Sequence, residues 1–198
     1  MILIEQTSVP TASLPVAAFR DHLRLGTGFS DVALQDAVLE TCLRAALSAI
    51  EGRTGKALLA RDFLLTLTAW RNDCWQGLPI APVNVVTSVA IVDGSGTPDV
   101  LASDTYYLEQ DAHAPRVIAT GTLLPSIPKG GSVEITMTAG LSQGWTGLPG
   151  EIQQAVFLLA ADFYENRNTG GMRGQFPIGV AVLIERYRAL RVGLGGAK

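Results

Sequence analysis

The sequence is short of charge. Asp, Glu, Lys and Arg make up only 17% of its 198 residues, whereas an average soluble domain has about 25%. Its mean hydropathy is positive, at +0.27. A monomer with so few charges leaves apolar surface in water, and extended apolar surface usually marks a site of association. The composition therefore favours a protein that assembles with other subunits.

The sequence also lacks the segments that would place a protein in or across a membrane. Its longest purely apolar run is Ala155–Ala161, far below the ~20 residues that span a bilayer. The first residues, M-I-L-I-E-Q, have neither the basic start nor the long apolar core of a signal peptide. We therefore expect no membrane contact, and synthesis in a reducing cytoplasm.

Metal ligands and phosphate-binding loops are scarce too. Cys42 and Cys74 form no C-x-x-C motif, and Cys42 falls on the apolar side of a helical pattern, as a small core residue would. His22 and His113 belong to different predicted elements, and each is expected at the surface without a metal. The stretch G-R-T-G-K at 52–56 has too few residues between its glycines for a phosphate-binding loop, and alanine follows the lysine. We therefore predict no catalytic residue, no metal and no cofactor.

Helical periodicity marks both ends of the chain. Ser13 is predicted to cap a first helix with Pro15 in its first turn, and a second helix is predicted to run to about Glu51, where glycines stop it. A third helix is predicted over 150–167, and Pro177 opens a last one. The inward side chains of that last helix are expected to be Val180, Leu183, Ile184, Tyr187 and Leu190.

Between the helices, from about residue 60, the apolar period changes from 3.6 to 2. Phe63, Leu65 and Leu67 recur at every second position, as in a half-buried strand. The proline-rich stretch 78–83 is expected to be an edge or an extended connector. Further strands are predicted over 85–92, 105–109, 116–118 and 132–138, with a turn at 93–96.

These patterns predict an α+β fold in a single domain. A small α-helical body of about four helices, over 13–55 and 148–191, is interrupted by an antiparallel β insertion over roughly 60–140. Residues 192–198 are predicted to be a flexible C-terminal tail.

Polar side chains crowd the end of the third predicted helix. They could be the acid, base and anchor of an active site, or the polar end of a structural helix. Asp162 and Glu165 fall away from the apolar stripe, and Glu165 and Arg167 are two positions apart and do not face each other. Asn166 or Asn168 could take the left-handed conformation that ends a helix. We interpret this cluster as a helix terminus and an interface.

A basic cluster follows on the last predicted helix. It contains Arg186, Tyr187, Arg188 and Arg191, with Arg173 before it and Lys198 in the tail. Positive charge is favourable near a helix C-terminus without any ligand. Three interpretations stay open: a solvated helix end, a contact with a partner protein, and a contact with DNA.

Two other classes of function are alternatives to an assembling protein. A small hydrolase or transferase could use Tyr106, Tyr107 or His113, but it would need converging polar groups with perturbed pKa values, which the sequence does not indicate. A DNA-binding module could use the last helix, but a net charge of −3 gives no general attraction to nucleic acid.

The order of several segments resembles a known family. Taken in chain order, they are F-R-D-H-L-R-L (19–25), I-E-G-R-T-G-K-A-L (50–58), L-P-I-A-P-V-N-V-V-T-S-V (78–89), V-D-G-S-G-T (92–97), A-G-L (139–141), L-P-G-E-I-Q-Q-A-V-F-L-L-A-A-D-F-Y-E-N-R (148–167) and P-I-G-V-A-V-L-I-E-R-Y-R (177–188). Each alone is a cap, a turn or a core stripe. In this order and spacing they resemble the head–tail connector (adaptor, or head-completion) proteins of long-tailed bacteriophages and of phage-derived gene transfer agents.

The resemblance implies a structural subunit and not an enzyme. Such subunits form a dodecameric ring beneath the portal in the particle neck, extend the DNA channel and dock a stopper or tail-terminator protein. Genomic DNA would pass through without sequence-specific binding. Another neck component remains the alternative, and an infectious phage and a gene transfer agent both remain open as the parent particle. The resemblance also implies that the segment from Tyr187 to Lys198 reaches the portal. The expected portal or neighbour interface is Arg186, Tyr187, Arg188, Arg191, Lys198, Glu165, Arg167 and Arg173.

Overall fold

The computed structural model describes residues 1–25, 32–166 and 176–188. Within them the helices are α1 (Val16–His22), α2 (Val32–Thr54), α3 (Gly150–Glu165) and α4 (Ile178–Ile184). The strands are β1 (Ile2–Glu5), β2 (Arg61–Leu67), β3 (Trp75–Gly77), β4 (Val83–Val92), β5 (Pro98–Val100), β6 (Tyr106–Glu109), β7 (Arg116–Ala119) and β8 (Ser132–Ala139). Single turns of 3₁₀ helix lie at Thr11–Ser13, Trp145–Gly147 and Glu185–Tyr187.

The strands form two antiparallel sheets that share one core. The larger sheet has the strand order β1-β2-β8-β4-β5, and the smaller has the order β3-β7-β6. Phe63 and Leu65 of β2, Ile135 of β8 and Val117 of β7 belong to the same buried cluster. The predicted alternation is confirmed on β8, where Val133, Ile135 and Met137 are buried and the residues between them are partly exposed.

The helices enclose a second buried cluster. Phe19 of α1, Leu43 of α2 and Ile152 of α3 are fully buried in it, and Val180 and Ile184 bring α4 onto the same core. Cys42 is buried there, as its position in the helical pattern predicted. Together the two clusters confirm the predicted α+β fold class.

The start of α1 and the end of α2 differ from the sequence prediction, because a proline takes the N-cap of α1 and a later glycine takes the left-handed conformation after α2. Ser13 lies in the preceding 3₁₀ turn, and Pro15 itself occupies the N-cap of α1. α2 continues past Glu51 to Thr54, because Gly55, with φ of 69°, is the glycine that takes the left-handed conformation. Asn166, with φ of −102°, is not a left-handed cap. The other candidate for that cap, Asn168, lies outside the described residues.

The sheet extends beyond the predicted β insertion. β1 precedes the helices yet pairs with β2 along its whole length, so the sheet is not confined to 60–140. β3 and β5, of three residues each, were also not predicted, since periodicity cannot identify so short a strand. The last helix is shorter than predicted, because α4 ends at Ile184 and a 3₁₀ turn follows. The predicted tail, 192–198, lies outside the described residues.

A buried arginine joins the helices to the larger sheet. Nη1 and Nη2 of Arg61 in β2 donate hydrogen bonds to Oε1 and Oε2 of Glu51 in α2, at 2.9 and 2.7 Å. This two-pronged geometry is the strongest that a guanidinium and a carboxylate form. Nε of Arg61 lies 2.9 Å from Oε2 of Glu5 in β1, an ion pair in which the N–H is not aligned with the oxygen. One cation therefore holds α2, β1 and β2 together.

The carboxylates keep the Arg61 guanidinium charged although it is buried. Burial acts to lower the pKa of Arg61, but the hydrogen bonds to Glu51 and the negative charges of Glu51 and Glu5 outweigh it, and the pKa is raised. Oε1 of Glu51 also accepts the backbone N–H of Leu58 at 2.7 Å. The same carboxylate thus fixes the turn between α2 and β2.

Two further close contacts position the sheet against the helices. The Nζ of Lys56 donates to the backbone oxygen of Ala112, in the loop between β6 and β7. A Cβ at Gly140, directly after β8, would lie 2.3 Å from the Cα of Ala60, so only glycine fits at this crossing. The Lys56 ammonium thus contacts the loop after β6, and Gly140 lets the end of β8 approach the chain before β2.

We predict that Arg61→Ala lowers the free energy of unfolding by about 2–4 kcal/mol, because the Glu51 side chain, only 15% exposed, is left without its counter-charge. Urea unfolding followed by circular dichroism measures the change. The control is Arg188→Ala, which removes an ion pair at the surface. The Arg188 and Glu185 side chains are 40% and 63% exposed, and such a pair contributes less than about 1 kcal/mol to the free energy of unfolding. Equal losses in the two variants would contradict this role of Arg61.

Candidate assembly interface

Four of the eight predicted interface residues lie in the described part of the chain. Arg186 and Tyr187 fall in the 3₁₀ turn after α4, and Arg188 follows that turn directly. Glu165 is the last residue of α3, on the surface. The remaining four lie outside the described residues: Arg167, Arg173, Arg191 and Lys198.

The apolar spacing of α4 determines which way these side chains point. Pro177 takes the N-cap position of α4, where a missing backbone N–H costs nothing. Val180, Ile184 and Tyr187 follow at intervals of four and three residues and are buried in the helical core. Tyr187 is only 8% exposed, so most of its surface is already occupied by the rest of the chain.

A carboxylate at the start of α3 fixes the 3₁₀ turn. The Tyr187 hydroxyl donates to Oε1 of Glu151 at 2.8 Å, and Nη1 of Arg186 lies 2.9 Å from the same oxygen. The Arg186 guanidinium also lies over the Tyr187 ring, 4.9 Å from its centroid. Because Glu151 is in the first turn of α3, its negative charge also faces the positive end of that helix.

These contacts shift the pKa values of both partners. The backbone N–H of Glu151 itself, the Tyr187 hydroxyl and the charge of Arg186 hold the pKa of the Glu151 carboxyl below its ordinary value. Burial and the hydrogen bond to Glu151 raise the pKa of the Tyr187 hydroxyl. Tyr187 is therefore a neutral donor to a charged acceptor at neutral pH.

The described part of the predicted basic cluster is neutralised within the chain. Arg186 is paired with Glu151, and Nη1 of Arg188 donates to both carboxylate oxygens of Glu185 at 2.9 Å. Two cations therefore face two anions, and no excess positive charge remains among these four side chains. Binding to DNA phosphates requires such an excess, so this arrangement disfavours the DNA-binding interpretation and favours a solvated helix end or a protein contact.

Two apolar side chains project from α4 beside these ion pairs. Ile178 and Val182 are one helical turn apart and are 84% and 70% exposed. We call this pair the apolar ridge. The sequence pattern contained the signal for it, since Val180, Ile184 and Tyr187 point inward and leave Ile178 and Val182 on the opposite side. The interface prediction named only charged residues and Tyr187, and so missed it.

The residues considered for catalysis do not converge. Tyr106 packs against the core between the sheets, whereas Tyr107, its neighbour on β6, points the other way and is exposed. His113 lies on the surface of the loop after β6. Among residues 1–25, 32–166 and 176–188, no group of three or more His, Cys, Asp or Glu side chains could hold a metal ion. No helix in that part of the chain is both long enough and apolar enough to cross a membrane.

Comparison with known proteins gives whole-chain similarity to particle components. No protein-family profile and no curated protein matches the chain, but solved structures do. A chain in the neck of an empty GTA particle, computed with C6 symmetry, is 53% identical, with a TM-score of 0.89 and coverage of 100% of both chains. A chain in the virion of a native gene transfer agent (GTA) particle is 54% identical, with a TM-score of 0.86 and coverage of 99% of both. A chain in the neck of a native GTA particle, computed with C12 symmetry, is 49% identical, with a TM-score of 0.84 and coverage of 100% of both.

We predict that Glu151→Gln destabilises the fold at neutral pH and that its effect disappears in acid. The pKa of Glu151 is lowered by folding, so its charged form stabilises the folded chain above the unfolded pKa of about 4.3. That contribution is lost as the pH falls through the folded value. Urea unfolding of both proteins from pH 7 to pH 3 measures the difference. A difference that is unchanged at pH 3 would show that the Glu151 charge is not its source.

Proposed function

The chain belongs to the structural neck proteins of gene transfer agent particles, and we propose that within the neck it is the adaptor subunit. In this proposal a ring of copies lies directly below the portal, extends the DNA channel and docks the next neck protein. The observation that carries it is the 53% identity to a neck chain over 100% of both chains. The segment order quoted above, which resembles that of head–tail adaptors, supports the finer assignment.

A ring of twelve copies agrees with the symmetries of the related structures. Those neck structures have C6 and C12 symmetry, and twelve is the smallest number of copies that obeys both. In such a ring each subunit uses one surface against the neighbour on one side and a different surface against the other. The chain has few charges and several exposed apolar side chains. Both features suit a subunit that contacts neighbours on two sides and a portal above.

The proposed portal contact lies at the C-terminal end of the chain. Packing the apolar ridge against the portal would remove its apolar surface from water, which favours binding. The ion pairs of Arg186 and Arg188 beside it would provide polar groups at the border of the contact. Glu151 and Tyr187 hold the start of the C-terminal segment against α3. The segment that continues from Arg188 would thus leave the subunit from a fixed point.

The charge of the chain suits a channel through which DNA slides. A surface with many unpaired cations would bind phosphates and slow the passage of DNA. The net charge of −3 and the internally paired arginines after α4 avoid this. The neighbour below would be a stopper or a tail terminator, and those two roles are also the alternatives for this chain itself.

We predict that a variant lacking 193–198 and carrying Arg188→Ala and Arg191→Ala binds the portal at least tenfold more weakly while keeping its fold. Co-sedimentation with purified portal from the same locus measures binding, and thermal unfolding checks the fold. The matched control changes Arg71, Arg116 and Lys129 to Ala and also removes three positive charges. It should bind the portal like the unchanged chain. Full portal binding by the first variant would overturn this assignment of the interface.

A further inference from the structure

The larger sheet has an outer face that neither hydrophobic core covers. The strand register aligns Ile4 of β1, Leu64 of β2, Thr136 of β8 and Ser88 of β4 in one row across four strands. These side chains point away from the buried Phe63, Leu65 and Ile135, because successive residues of a strand face opposite sides. A parallel row begins at Ile2 and ends at Val100 of β5.

The apolar residues of the outer face are exposed to an extent unusual for β-branched side chains. Ile2, Ile4, Val85 and Val100 are 61%, 51%, 50% and 64% exposed, and none of them belongs to either core cluster. An exposed apolar face that crosses a whole sheet is a site for association.

The outer face also carries very little charge. Asp62 and Glu134 are its charged side chains among the positions that the register aligns, and Asp62 already accepts the Thr138 hydroxyl at 2.6 Å. Among the aligned positions, those that lie on the outer face include no lysine or arginine, since Arg61 has the inward orientation of Phe63 and Leu65. The face therefore offers no attraction to DNA, and its two carboxylates give it few charges with which to select a partner of opposite charge.

Among the described residues, no strand other than β2 pairs with β1, so the β1 edge of the outer face is open for strand pairing. The backbone N–H of Gln6 donates to the oxygen of Asp62, so alternation along β1 points the backbone groups of Leu3 and Glu5 out of the sheet. The opposite edge, β5, is only three residues long and contains Pro98 and Asp99, which block further pairing. The β1 edge has no such protection.

We propose that the outer face, together with the β1 edge, packs against a second copy of this chain, the next subunit of the ring. Copies of a chain with net charge −3 repel one another, so a contact surface with little charge keeps this penalty small. A different protein that recognised this face by complementary charge would find only two carboxylates, and one of them, Asp62, already accepts the Thr138 hydroxyl. The inference rests on the proposed ring and adds the surface through which its subunits meet.

The size of the outer face predicts when this contact forms. Four strand spacings of about 4.8 Å and about five residues of 3.3 Å give roughly 300 Å², against about 800 Å² per partner in a stable pair. The contact is therefore weak between free copies. It forms once the portal holds copies side by side and raises their effective concentration.

Photo-crosslinking from the middle of the outer face tests the proposal. Thr136→p-benzoylphenylalanine places the probe on β8, the central strand. The control is Tyr107→p-benzoylphenylalanine, on an exposed strand position of the smaller sheet. With portal present, irradiation should join two chains of 20.9 kDa through Thr136 and at least fivefold less through Tyr107. Without portal, neither position should give a chain–chain product.

Each other outcome overturns the inference. A product that joins Thr136 to the portal, or to an added neck protein, would assign the outer face to that partner. Absence of any chain–chain product from Thr136 overturns it whether or not a ring is seen. Electron micrographs of the same samples distinguish failure of the proposed function from failure of this inference. If no ring is seen on the portal, the proposed function is overturned as well. If a ring is seen but Thr136 gives no chain–chain product, only this inference is overturned.

Discussion

The pairing of Arg61 with Glu51 is the contact on which the rest of the structure depends. It lies where α2 ends and β2 begins, and Glu5 brings β1 to the same guanidinium. A buried cation with two carboxylates has no comparable alternative arrangement, since any shift would leave a charge desolvated. The helical body and the larger sheet are therefore held at one angle. A ring closes only if each subunit presents its contact surfaces at a constant angle, so in the proposed ring this ion pair would support assembly as well as the stability of the fold.

The shortage of charge in the sequence agrees with the exposed apolar surfaces on the helical body and on the larger sheet. Three arginines, Arg61, Arg186 and Arg188, are paired within the chain with Glu51, Glu151 and Glu185. Apolar side chains meanwhile remain exposed on the apolar ridge of α4 and on the outer face of the larger sheet. These are the places where a neck subunit would meet the portal and its own neighbours. In the proposed ring, weak contacts that support one another would suit a subunit that assembles only at the portal.

The sequence alone predicted the parts of the fold that repeat regularly. The apolar spacing identified α3, the inward side of β2 and β8, and the burial of Cys42, because each pattern extends over several turns or strand positions. It missed β1, β3 and β5, which are too short to show a period, and it stopped α2 too early because Gly52 and Gly55 are equally plausible caps in a sequence. The ion pair that neutralises Arg186 depends on a contact between α3 and the turn after α4, whereas Arg188 pairs locally with Glu185, three residues earlier. Glu151 is distant from Arg186 in the sequence, so the sequence alone does not indicate that the two side chains pair.

The most direct test of the account is electron microscopy of the purified chain mixed with purified portal from the same locus. The adaptor assignment predicts an added ring of twelve subunits on one end of the portal, absent when this chain is left out. Failure of the two proteins to associate, even at high concentration and low salt, would contradict it. The chain would then belong lower in the neck, as a stopper or a tail terminator.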